Sequence, residues 1–181
     1  MAKGKDISNM KLTSVLKKWM DQEEWKDEIQ LDDQGNRARV DVNVGINNQG
    51  HRFILQTDEK GEVFTVTLLS PFSVPPARMA DMSRILNRLN LGLTFGRLYC
   101  PDDAESNPVA FEHSIDVEGS ELVPKQISNM MGAATGTFAG REELLAAVAL
   151  TKQPIDALWA NFLEEQEKRE KESEESGPSE L

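Results

Sequence analysis

Residues 38–57 read Ala-Arg-Val-Asp-Val-Asn-Val-Gly-Ile-Asn-Asn-Gln-Gly-His-Arg-Phe-Ile-Leu-Gln-Thr, and this stretch decides the fold class. Ala38, Val40, Val42, Val44 and Ile46 alternate with Arg39, Asp41, Asn43 and Gly45. A period of two with one apolar and one polar set predicts a strand buried on one face and wet on the other. Asn47-Asn48-Gln49-Gly50 supplies a hairpin turn, because Asn and Gly tolerate positive φ. His51 to Thr57 then runs back as the next strand.

The flanks extend this hairpin into a meander. Ile29 and Leu31 mark a short strand before it, and Asp33-Gln34-Gly35-Asn36 is turn chemistry. Beyond Asp58-Glu59-Lys60-Gly61, residues 62–70 form a strand with Phe64, Val66 and Leu68 on one face. Short turns make the neighbours antiparallel. Upstream, Leu12, Val15, Leu16, Trp19 and Met20 recur at helical spacing and predict a helix near 7–22. Downstream, Pro75 and Pro76 open a second helix whose stripe is Met79, Met82, Ile85, Leu86 and Leu89, closed by Gly92. Residues 93–99 and 109–117 read as two more strands, paired around a polar loop at 101–108.

Helices close the chain. Residues 122–138 carry Ile127, Met130, Met131, Ala134 and Phe138 at helical spacing, and Gly132, Gly136 and Gly140 fall four apart, a smooth strip suited to close packing. Residues 142–150 are apolar nearly all round, as a central or subunit-facing helix would be. A last helix starts at Pro154 with Ile155, Leu158, Trp159 and Phe162. The expected architecture is α+β: a twisted antiparallel sheet with helices packed on it and extra C-terminal helices, over residues 1–163. From 164 to 181 the composition shifts to eight Glu against three Lys or Arg. The helix is expected to continue for a turn or two, and the rest to be a disordered acidic tail.

Composition narrows the function. The 181 residues carry 20 Lys plus Arg against 31 Asp plus Glu, a net charge of −11. Nucleic acid and anionic membranes both demand clustered basic residues, so neither is the expected partner. The longest apolar run, Leu144 to Leu150, is far short of a membrane span of about 20 residues. With no secretory signal pattern at the start and one cysteine, Cys100, the chain reads as cytoplasmic.

No arrangement of residues announces catalysis. The glycines at 132, 136 and 140 lack the lysine and the preceding strand of a phosphate loop. One Cys and two His, His51 and His113, are too few for a zinc site, and Asp102, Asp103 and Glu105 lack the spacing of a calcium loop. No Gly-x-Ser-x-Gly elbow is present. The reading is a non-enzyme with no metal and no cofactor.

The stretch Ile85-Leu-Asn-Arg-Leu-Asn-Leu-Gly-Leu-Thr-Phe-Gly-Arg-Leu-Tyr99, with the element order around it, resembles the YbjN family, which is similar in fold to the small type III secretion chaperones of the Tir group. The shared features are a helix ending in an Asn-containing segment, here Asn87 and Asn90, a strand with a glycine, here Gly96, and a second strand across a polar loop. Trp19, ending the first helix, and Trp25, before the first strand, also fit. The likeness spans roughly 10–138. It implies a binding module, often dimeric, that holds protein segments, and brings no catalytic residues. The helices at 140–163 and the charged tail depart from the secretion-chaperone pattern.

Three functions compete. In the first, a protein client or regulatory partner docks on Trp19, Met20, Trp25, Ile54, Val63 and Leu69. Ile54, Val63 and Leu69 fall on the wet face, where apolar area calls for cover by a partner or by the C-terminal helices. The second is a small-molecule-binding regulatory domain using Arg78, Arg84 and Arg88 with the acidic loop. The third is a homodimer, with Met79, Met82, Leu86, Leu144, Leu145 and Val148 as candidate interface.

Overall fold

The computed structural model describes Ile7, residues 9–101 and residues 106–175. Its six strands form a single antiparallel sheet in the order β1-β2-β3-β4-β6-β5. They are β1 (Gln30–Leu31), β2 (Arg37–Ile46), β3 (Gln49–Asp58), β4 (Val63–Ser73), β5 (Arg97–Tyr99) and β6 (Pro108–Asp116). The helices are α1 (Lys11–Gln22), α2 (Met79–Asn90, entered through a 3-10 turn at Pro76–Arg78), α3 (Pro124–Ala139), α4 (Glu142–Leu150) and α5 (Ile155–Glu175).

The predicted meander is present, with a tighter β2–β3 turn than expected. Only Asn47 and Asn48 lie between β2 and β3, at φ 49° and 63°, and Gln49 and Gly50 already belong to β3. Two successive left-handed residues twist the chain in the sense of the flanking strands. The strand expected over 93–99 shrinks to Arg97–Tyr99, because residues 91–96 form a loop that turns at Gly96.

One sheet face carries Val40, Leu55 and Val66 in one row and Val42, Phe53, Leu68 and Phe111 in the next, all buried. On it pack Leu12, Leu16, Trp19 and Met20 of α1, Met82, Ile85, Leu86 and Leu89 of α2, Ile127, Ala134 and Phe138 of α3, and Leu145 and Val148 of α4, in one continuous core. α1 has Met10 at its N-cap, which offers no capping side chain. Glu59, from the β3–β4 turn, does that work: its carboxylate accepts from Leu12 N at 3.0 Å and from Thr13 N at 2.7 Å.

The C-terminal reading needs a correction. α5 does not end a turn or two past Leu163 but runs to Glu175. Its Glu, Gln, Lys and Arg residues are good helix formers, and Lys168 and Glu172 pair one turn apart at 3.7 Å. Residues 176–181 lie outside the described residues.

Candidate partner-binding surface

The sheet's other face carries no helical cover from the core cluster. Across it run the rows Asp41–Ile54–Thr67–Glu112–Arg97 and Asn43–Arg52–Leu69–Ala110–Tyr99. Ile54, Thr67 and Ala110 are buried, Leu69 and Val63 half-buried, and none belongs to the main core. Their surroundings are polar neighbours on the same face. Arg39 and Arg52 both approach Asp41, at 2.9 and 3.9 Å, Arg97 meets Glu112 at 2.7 Å, and the Tyr99 hydroxyl donates to Glu112 at 3.2 Å. The C-terminal helices, expected as one possible cover for Ile54, Val63 and Leu69, pack instead on the helical side.

The edge of this face is open at β2. Asp32 N donates to Arg37 O at 3.0 Å, so the backbone groups of Arg37 and Arg39 point toward β1. Strand alternation points those of Asp41, Asn43 and Gly45 the same way. The β1–β2 ladder stops at Gln30 and Arg39, however, and Asn43 and Gly45 are exposed. That length of β2 pairs with β3 on its inner side, and among the described residues no strand pairs with its outer side. The opposite sheet edge is treated differently. There the Asn90 side chain donates to Leu98 O at 2.9 Å and accepts from Leu98 N at 2.8 Å, closing β5 with a two-bond clasp.

The other sequence candidates sort by burial. Trp19 and Met20 are core residues, with Trp19 Nε1 donating to Ser128 Oγ at 3.0 Å, which removes both from the surface. Trp25 is half-buried, its ring edge-on to Trp19 at 4.7 Å. The proposed dimer interface is corrected too. Met82, Leu86, Leu144, Leu145 and Val148 are buried within one chain, where α2 packs against α4, and Met79 is half-buried against the same core. Periodicity marks a stripe as apolar without saying whether the cover comes from the same chain. The three arginines of the small-molecule reading are spent on internal contacts. Arg78 donates to Val148 O at 2.8 Å, and Arg84 and Arg88 approach Asp156 at 3.8 and 3.1 Å. Asp102, Asp103 and Glu105 lie outside the described residues. Gly132 and Gly136, expected to permit close packing, have open space where a side chain would project.

Two features escaped the sequence. His51 Nε2 lies 2.9 Å from Glu142 Oε1, off the line of a hydrogen bond, with both side chains buried, and Asn47 Nδ2 donates to Glu142 Oε2 at 3.2 Å. Nothing local links residues 51 and 142. The turn made at Gly96, a residue singled out in the sequence only as part of a strand, is the second. Gly96 sits at φ +69°, and a Cβ there would fall 2.4 Å from Phe111 Cζ and 2.6 Å from Glu112 O. Beside it His113 stacks on Phe95 with centroids 5.7 Å apart, and burial holds its pKa below the usual imidazole value. Asp58 is held below the usual carboxylate range, chiefly by the Gly61 N–H, with Arg37 adding to the effect against partial burial. Among the described residues, no three His, Cys, Asp or Glu side chains are grouped to hold a metal ion, and no helix is long and apolar enough to cross a membrane.

With this geometry in place, the relationship can be stated. The family model described as "YbjN: Putative bacterial sensory transduction regulator" matches residues 13–140, and the chain belongs to that family. A chain in the structure of the HopA1-SchA chaperone-effector complex is similar over 77% of this chain and 98% of that one, at 19% identity and a TM-score of 0.50, which shows the shared fold. Also similar are E. coli YbjN, described as a putative transcription regulator (11% identity, 72% and 90% of the two chains, TM-score 0.48), and a chain of the ExsC-ExsE complex (13%, 75% and 93%, 0.48). No curated protein matches the chain.

Proposed function

We propose that this protein is a non-enzymatic protein-binding module of chaperone, adaptor or regulatory type, working in the cytoplasm. It takes an extended segment of a partner along the free edge of β2. The observation that carries the reading is the open outer edge of β2 at Asp41, Asn43 and Gly45, in a sheet whose other edge is clasped by Asn90. An added strand gains main-chain hydrogen bonds from the edge and specificity from side chains that meet alternate faces. Outward side chains of the partner would meet the Arg39, Asp41 and Arg52 cluster beside Ile54. The structurally similar chain of the HopA1-SchA complex comes from a chaperone-effector assembly, which agrees with a protein ligand for this fold.

The test maps a bound segment directly. Peptides selected from a random library against the full chain are added in excess, and amide exchange is followed by NMR. Slowed exchange at Asp41, Asn43 and Gly45 is the expected result. Selected peptides that protect only helix amides would contradict the reading.

A further inference from the structure

α4 and α5 lie beyond the family-matched residues 13–140, and the two are held very differently. α4 is core: Leu145 and Val148 are fully buried and Ala149 nearly so. Among its described side chains, α5 buries only Ile155 and Leu158, with Trp159 and Phe162 half-buried. Polar ties also join it to α2. Asp156 receives Arg88 at 3.1 Å and Arg84 at 3.8 Å, and the Arg88 guanidinium lies 5.4 Å from the centre of the Trp159 ring. Beside α5 the packing is incomplete. Leu158, Asn161, Phe162, Glu165 and Arg169 border an open cleft of about 620 Å³ shared with α4 and the β2–β3 turn.

We infer that the α2–α4 surface is a helix-docking site, held in cis by α5, and that it fits a partner helix of α5's own pattern. The pattern is read from α5: apolar residues at i, i+3 and i+7 (Ile155, Leu158, Phe162), a carboxylate at i+1 for Arg84 and Arg88, and an aromatic ring at i+4 for Arg88. Apolar anchors one and two turns apart are how an amphipathic helix enters a groove. The carboxylate sets register and orientation, since Arg84 and Arg88 stand one turn apart on α2. The tether keeps α5 at an effective concentration near millimolar, so a trans helix competes poorly until α5 is released. This surface lies on the helical side and is independent of the β2 edge.

The test uses the full chain and a fluorescein-labelled peptide of residues 152–166. Asp156→Arg with Trp159→Ala sets a cation against Arg84 and Arg88 and removes the ring, freeing the site. The double variant is expected to melt cooperatively and to bind the peptide at least about tenfold more tightly than the unaltered chain. The same peptide carrying Asp156→Arg should not bind. Equal affinity for both proteins, or no saturable binding to the folded variant, would overturn the inference. A variant that loses its cooperative fold would overturn it too, since α5 would then be an integral part of the core. Hydrogen exchange on the unaltered chain is the second measurement. Amides of residues 158–163 should exchange through an opening cheaper than that of 145–150. Exchange of both at one common rate would count against a separable α5.

Discussion

Single side chains fix the ends of this sheet. Gly96 and Asn90 stand six positions apart with no repeating pattern to link them, yet both serve β5. Gly96 turns the loop where Phe111 and the Glu112 carbonyl leave no room for a Cβ, and Asn90 then satisfies both backbone groups of Leu98. Gly96→Ala adds strain at positive φ to a steric overlap with backbone, and should cost at least about 2 kcal/mol in urea unfolding. Asn90→Ala leaves the Leu98 groups without their side-chain partner, an expected loss of about 1–3 kcal/mol. Asn87, its neighbour in the resemblance, is exposed, and substitution there should leave stability within about 0.5 kcal/mol. His113 has a pH signature. Its folded pKa lies below the unfolded value of 6.5, so the unfolded chain binds the extra proton. Stability therefore falls as pH drops below about 6.5, and the loss accumulates down to the folded pKa. Thermal melts from pH 7.5 to 5.5 should show a smaller decline in His113→Phe than in the unaltered chain. Parallel declines would show that other groups carry the effect.

At the scale of elements, the decisive contacts join segments distant in sequence. α1 begins without a capping residue of its own and borrows Glu59 from the β3–β4 turn. Glu59→Ala should destabilise by about 1–2 kcal/mol, a fall in melting temperature of roughly 2–8 °C for a chain this size. A change under about 1 °C would mean water caps the helix as well. The elements themselves were largely legible in the sequence. Period-two alternation located β2, β4 and β6, apolar stripes located α1, α2, α3 and the start of α5, and α4 showed as a short run apolar nearly all round. Three details were not. The length of β5 depends on a loop turned at Gly96, the extent of α5 depends on helix formers that lack an apolar stripe, and the Asn47–Asn48 turn is tighter because both residues accept positive φ.

At the scale of the molecule, one question could not be answered from pattern alone: what covers an apolar face. Met82, Leu86, Leu144, Leu145 and Val148 looked like an interface because their stripes need a partner, and that partner is the same chain. Ile54 and Leu69 looked like a groove, and polar neighbours on the same face surround them instead. A free strand edge has no apolar signature, so the β2 edge appears only once β1 is seen to begin no earlier than Gln30, opposite Arg39. The most direct test of the strand-addition account is Asn43→Pro. The Asn43 N–H faces the open edge, where proline removes no bond to β3 and is tolerated in a strand. The account predicts an unfolding midpoint close to that of the unaltered chain, with affinity for the selected extended peptides reduced at least about tenfold, or about 1.4 kcal/mol. Unchanged peptide affinity in a folded Asn43→Pro protein would contradict it.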